Sequence, residues 1–381
     1  MIEVLFFVLA GTVSGFALGL LPGFHINNFL PMLAAVPFAP AQAFSFVVPA
    51  SIAFCFSSAF PAILLGAPNS DTAVTILPAH RLVQEGRALT ALLISSYSSL
   101  LSVIFCALTL AIFLLLFVPI FPFIRQFMPY ILILIAGYLL ITGKTAALLI
   151  AFLASMLGFA TLKYDLLLPL LTGFFGLSTL ILSLATESSG YEQGSEFVHE
   201  CSWFEIIRAS FLASLLGSIF SVVPAVSSSI TATLGRVFGK TEVEEFIAFV
   251  SSTNATYMIF SIFALELIGV SRSGSAVFLL KFSGANILFL LGLILLSGTG
   301  AALLSIKIAK PAVAVYSKIN YRLLSVFAVL FLLAVNLIFT GWFGMLVLFA
   351  STSIGLLCSS LQVAKITCMF ALIVPTVCLL I

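Results

Sequence analysis

Only a few side chains in this sequence can carry chemistry, and a largely apolar background makes them easy to single out. Arg272 stands between an apolar run and the small-residue turn Ser273, Gly274 and Ser275. A guanidinium presents a planar fork that pairs bidentately with a carboxylate, so Arg272 is expected to anchor an anion. A basic loop residue that marks the cytoplasmic side would look the same in sequence. Asp71 follows Asn69 and Ser70 and precedes Thr72, shortly after Gly66. An acid within a membrane is costly unless it has a task, which points to Asp71 holding Na+ or a proton. It could equally cap a short helix. Glu266, shortly before Gly269, is a second ion-coupling candidate or a partner for Arg272. Behind Pro22 and Gly23 come His25, Asn27 and Asn28, an imidazole and two amides. The N-terminus of a half-helix adds free N–H groups and partial positive charge, which suit a carboxylate. A plain proline kink at the membrane surface is the competing account. Ser227 and Ser228 behind Pro224, and Ser252 and Asn254 inside an apolar run, complete the candidate substrate-binding set. The patch Ser251–Asn254 either lines a polar path or bonds neighbouring helices together.

Composition dictates the elements that must position these groups. The 381 residues are 62% hydrophobic and 7% charged, with a mean hydropathy of +1.30. Soluble domains are about one quarter charged, so a water-soluble fold is excluded. The expected class is an all-α polytopic membrane protein, with the lipid bilayer as its first partner. A net charge of +2 gives no reason to expect nucleic acid. Six scattered cysteines without a CxxC pair predict neither a disulfide framework nor a metal site. The first residues lack a basic stretch and merge into an apolar run, so no cleavable signal is expected. No Walker loop, HExxH, G-x-S-x-G or dinucleotide fingerprint occurs, and neither an enzyme nor a cofactor is expected. His25 with Asp71 is the one pair that could imitate an intramembrane catalytic site.

Apolar runs fall at roughly 2–20, 26–37, 42–66, 72–79, 89–120, 128–142, 145–161 and 166–185, then 206–223, 226–237, 246–269, 275–306, 323–340, 342–360 and 366–381. Several are shorter than the ~20 residues a span needs. These short runs cluster beside Pro/Gly breaks, as re-entrant or half helices would. The breaks also recur. Gly15 and Pro22 are matched by Gly217 and Pro224, and the stretch 66–74 by 269–277, at offsets of 202 and 203. Thr142-Gly143 matches Thr340-Gly341, and Ser155 to Gly158 resembles Ser353 to Gly355. Two structural repeats are therefore expected, 1–186 and 206–381, joined by a polar acidic linker over 187–205, with discontinuous helices meeting near the membrane middle. Inverted and parallel arrangements both stay open, as does the number of crossings. Loops 80–87 and 307–322 hold the densest cations and are expected on the cytoplasmic side. Stretches 187–205 and 236–245 read as solvated, and Gly11, Gly15 and Gly19 as a close helix-packing face.

The segment AILLGAPNSDTAVTILPAHRLVQEGRALTALLIS, residues 62–95, resembles the signature of the large membrane subunit of tripartite tricarboxylate transporters. That signature has an ILL tip, a small-residue and threonine run, and a basic loop ending Gly-Arg-Ala, here Gly86-Arg87-Ala88. Leu21-Pro22-Gly23 is similar to the family's first tip, and Ser252-Thr253-Asn254-Ala255 stands where the family has an Asn-rich stretch. The sequence departs from the pattern in three places. Val223-Pro224-Ala225 lacks the tip glycine, Val270-Ser271-Arg272 lacks the tip proline, and Pro78-Ala79 replaces an acidic-Gly pair. The resemblance implies a permease of the cytoplasmic membrane, a secondary active transporter for small organic anions such as di- or tricarboxylates. A Na+ or H+ gradient would drive it. A small membrane subunit and a soluble binding protein are the implied partners, and a homodimer stays open. The rival expectation is a channel or structural membrane subunit that is inactive without partner proteins.

Overall fold

A computed structural model describes residues 2–22, 24–33, 36–66, 76–143, 145–164, 166–185, 193–194, 196–235, 242–270, 273–282, 284–316 and 321–381. Every regular element among them is helical, and eight helices are long and apolar enough to cross a membrane. In the first half, α1 (Ile2–Gly19) ends at the Pro22 break and α2 (Ile26–Leu33) follows. α3 (Pro40–Ser57) continues through a bend at Ser58 into α4 (Ala59–Leu64), and α5 (Ile76–Gln84) leads to α6 (Ala88–Ile112). A π turn, Phe113–Phe117, joins α6 to α7 (Val118–Gln126). Then come α8 (Met128–Ile141), α9 (Ala146–Thr161), α10 (Leu167–Leu171) and α11 (Ser178–Ala185). The second half holds α12 (Trp203–Phe220), α13 (Ser228–Gly235), α14 (Val243–Ile268) and α15 (Gly274–Leu279). It closes with α16 (Ile287–Tyr316), α17 (Tyr321–Ser360) and α18 (Phe370–Leu380). Gly341, at φ +61, leaves the helical conformation and kinks α17.

Two cationic stretches expected as loops are largely helical. α5 runs through His80 and Arg81 to Gln84 and stops only where Gly86 takes φ +76. α16 carries Lys307 and Lys310 and continues to Tyr316. Lysine is a good helix former, so charge alone did not mark the end of the helix.

α3 and α14 are the central pair. In each, 89% of the apolar window is buried, against 22% to 39% in the other six spans. α1 lies parallel to α3 at very short range. A methyl group added to Gly11 would stand 2.2 Å from the Phe46 carbonyl oxygen, and one on Gly15 would stand 1.9 Å from that of Ala50. Without tail-versus-water contrast between helices, such backbone proximity is what holds apolar helices together. α3 and α14 run antiparallel, with Cys55 beside the Asn254 carbonyl and Ala59 and Ala62 beside Val250 and Ser251. α6 and α16 are antiparallel too, with Ser96 Oγ 2.6 Å from Ser305 Oγ and Val103 packed on Gly298. Hydroxyls also join α6 to α14. Ser251 Oγ donates to Ser95 Oγ at 2.8 Å, and Ser252 Oγ to the Ser98 carbonyl at 2.8 Å.

The acidic stretches are not simply solvated. Arg87, its side chain 17% exposed, donates to Glu200 at 2.7 Å and to the Val198 carbonyl at 3.0 Å, and also pairs with Glu244. Glu244 is 3% exposed and accepts the backbone N–H groups of Glu200 at 2.9 Å and Cys201 at 3.0 Å. Gln193 donates to the Val83 carbonyl and accepts from Ala88 N, and Thr90 and Val198 exchange hydrogen bonds. Glu245, also buried, takes Arg208 at 2.7 Å. Glu244 and Glu245 thus correct the solvated reading of 236–245, whose first six residues lie outside the described set. They belong to the first turn of α14, where acids suit the helix dipole.

Candidate functional site

The first break turns the chain back along α1. The His25 ring lies 5.9 Å from the Phe54 ring, level with Gly19, while the Phe29 ring lies 6.4 Å from that of Phe46, level with Gly11. α2 therefore returns beside α3 and presents Asn27 to the second half of the chain. There it meets Gly274, where an added methyl would stand 2.4 Å from Asn27 Oδ1. A larger residue at 274 would push the Asn27 amide aside. Asn27 N donates to His25 Nδ1 at 3.1 Å, which fixes the turn. Asn27 Oδ1 is buried and finds no hydrogen-bond partner among the described residues. Such an atom costs about 1–3 kcal/mol when unsatisfied, so it marks a place where a polar occupant is favoured.

Ser273 and Ser275 complete this contact. Ser273 Oγ accepts from Ala276 N at 3.1 Å, capping α15, and from Ser261 Oγ of α14 at 2.8 Å. Ser275 Oγ lies 2.6 Å from Ser51 Oγ of α3. Ser51 already gives its proton to the Val47 carbonyl at 2.7 Å, so Ser275 is the donor of the pair. The second-half tip is thus tied to α14 on one side and to α3 on the other.

The other second-half break lies against α14. Tyr257 OH donates to the Val226 carbonyl at 2.6 Å, and Ser227 Oγ accepts from Ile230 N at 3.3 Å at the start of α13. Pro224, Ser227 and Ser228 are buried. Ala225 takes φ +58, a left-handed conformation that favours glycine. The glycine missing from the sequence at this tip is therefore missing only as a residue, since the backbone still turns as a glycine would. Where α3 crosses α14, Cys55, Ala59, Ala62, Ser95, Val250, Ser251 and Asn254 enclose a void of about 10 Å³, room for one water. Asn254 is 7% exposed and faces this void, whereas Ser252 is spent on the bond to α6.

Pro22, His25, Asn27, Ser273, Gly274 and Ser275 thus form one neighbourhood, and Asn254 stands a short way along the α3–α14 crossing. Gly66 ends α4 at φ +58. Gly23, Asn69, Ser70, Asp71, Thr72 and Arg272 lie outside the described residues, as does the Asn28 side chain. Glu266 sits at the far end of α14, where its Oε2 accepts from Gly284 N at 3.1 Å and its Oε1 is buried without a partner among the described residues. Ser51, Cys55, Ser95 and Tyr257 were not singled out from sequence. Ser51 was within reach, because the offset of 203 pairs it with Asn254.

An all-helical, polytopic membrane protein with interrupted helices facing one another across two halves is the class that this architecture defines. Residues 5–370 match the family model described as the tripartite tricarboxylate transporter TctA family, and the chain belongs to that family. The uncharacterized protein MJ1079 of Methanocaldococcus jannaschii is 29% identical over 342 residues, which cover 86% of this chain and 85% of that protein. No solved structure matches.

Proposed function

We propose that this chain is the permease of a secondary active transporter that carries small organic anions, di- or tricarboxylates, across the cytoplasmic membrane by alternating access. A Na+ or H+ gradient supplies the energy, and the protein is not an enzyme. Its two halves are inverted repeats. In support, α1, α2, α3 and α6 begin at 2, 26, 40 and 88, and α12, α13, α14 and α16 begin at 203, 228, 243 and 287. Partners exchange in the same way, since α3 packs on α1 and α16 while α14 packs on α12 and α6. The antiparallel run of α3 against α14 supports inversion rather than a parallel repeat, and Gly66 and Gly269 share the left-handed backbone.

The observation that carries this reading is the meeting of Asn27 with Gly274 and of Ser51 with Ser275, two helix interruptions from opposite halves beside a buried amide oxygen without a partner. Broken helices at a repeat interface are where secondary transporters hold substrate and coupling ion. In this reading the breaks around 22–28, 66–72, 227–228 and 272–275, with Ser252 and Asn254, hold the anion, Arg272 supplies the counter-charge, and Asp71 and Glu266 couple the ion. A small membrane subunit and a soluble binding protein act as partners. The test is uptake of radiolabelled citrate into proteoliposomes that contain this chain alone. Accumulation above the external concentration, abolished by collapsing both the Na+ and the pH gradient, is expected. Uptake that only equilibrates would favour a channel. Uptake that appears only with added subunits would favour a component inactive by itself.

A further inference from the structure

A larger opening lies away from the α3–α14 crossing. Phe121 and Arg125 of α7, Met128 at the start of α8, Pro224, the end of α14 from Ile268 to Val270, and Leu380 surround a cavity of about 290 Å³. That is near the lower end of the range for small-molecule sites, enough for a compact polycarboxylate or a lipid headgroup. Its wall includes backbone from both breaks of the second half, at Pro224 and at Gly269. Among the described residues its lining contains one cation and no acid. Arg125 occupies the last turn of α7 and is exposed, and its guanidinium makes no hydrogen bond or ion pair with any described residue. Two carbonyls near the end of α14 are already bonded. Gly269 N caps that of Leu265 at 3.1 Å and Val270 N that of Ala264 at 3.2 Å. A guanidinium whose fork no described residue occupies matches the two oxygens of a carboxylate or phosphate.

We propose that this cavity is an oxyanion site in which Arg125 binds a carboxylate or phosphate beside the second-half breaks. The bound anion is a solute awaiting transport or the headgroup of an anionic lipid, and the chemistry at Arg125 is the same for both. The role of that anion rests on the permease reading, whereas its binding does not. The test places a thiol in the wall of the cavity. The full chain carrying Leu380→Cys and Cys378→Ser is put into nanodiscs, its other five cysteines being buried. The thiol is then labelled with a negatively and a positively charged methanethiosulfonate. Arg125 should favour the negative reagent by about threefold or more. Adding Arg125→Gln should erase the preference, and Arg125→Lys should keep it. Citrate added to phosphatidylcholine nanodiscs, or phosphatidylglycerol built into them, should slow the labelling, and only while the cation is present. Protection by citrate identifies a solute site, and protection by phosphatidylglycerol a headgroup site. Equal rates for both reagents, or protection that persists in Arg125→Gln, would overturn the proposal. A wild-type chain that moves no citrate would sink the permease reading and leave this measurement intact.

Discussion

The Arg87 clamp gives the sharpest energetic prediction. Arg87 stands at the start of α6 in the first half, and its guanidinium reaches the connector at Glu200 and Val198 and the first turn of α14 at Glu244. Removing one member of a buried ion pair costs about 3–5 kcal/mol, because the remaining charge is stranded away from water. Glu244, 3% exposed, keeps its backbone donors from Glu200 and Cys201, so Arg87→Ala belongs at the lower end, about 3 kcal/mol. At about 2 °C per kcal/mol for a long chain, the detergent-solubilised protein should melt about 6 °C lower. Arg81→Ala is the internal control. Arg81 and Glu85 are 68% and 40% exposed, and such pairs contribute roughly 0–1 kcal/mol. Removing both charges, as Arg87→Met with Glu244→Gln, strands neither and should cost less than Arg87→Ala alone. Melting is followed by the monomer peak that survives heating on a fluorescence-detected sizing column. If Arg87→Ala melts within a degree of Arg81→Ala, the clamp does not hold the halves together and this reasoning fails.

Other outcomes follow from single residues. Ala225→Gly should raise stability by about 0.5–1 kcal/mol, since relief of a left-handed alanine exceeds the extra entropy of an unfolded glycine, and a lowered melting temperature would contradict it. Gly15→Ala should lose about 1–3 kcal/mol by pushing α1 off the Ala50 carbonyl, whereas Gly137→Ala, with nothing within 4 Å, should change folded yield little. Parallel heating of the two variants on the same sizing column checks this. Burial pushes the Cys201 thiol up to about 11, so at pH 8 very little of it is thiolate. In a chain keeping only this cysteine, maleimide should label it slowly. Arg87→Ala should speed the reaction by freeing the connector, and an unchanged labelling rate would separate Cys201 from the clamp.

Much of this arrangement is legible from residue types because a bilayer narrows the choices. Apolar run lengths indicate where spans fall, and Pro/Gly breaks indicate where they are interrupted. The glycines at 11, 15 and 19 signal a close helix contact and lie on one. Sequence does not say which break meets which, because that depends on how the halves are turned. Asn27 contacts Gly274, a residue from the other kind of break in the opposite half, a pairing that residue types alone do not give. The acids at the start of α14 mislead for a related reason. Glu244 looks like solvated charge until Arg87, far away in sequence, reaches it, whereas Glu200 on the connector stays 76% exposed while pairing with the same guanidinium. Ala225 carries the same lesson into the backbone. Read as letters, Val-Pro-Ala departs from Leu-Pro-Gly, yet φ +58 puts Ala225 in the backbone region that glycine favours, at the cost of strain. A chain that retains a glycine's conformation without the glycine is held in that turn by its surroundings. Those surroundings are the Tyr257 hydroxyl on the Val226 carbonyl and the buried start of α13. Ala225 therefore sits in the backbone region that a glycine takes freely, and its surroundings carry the strain.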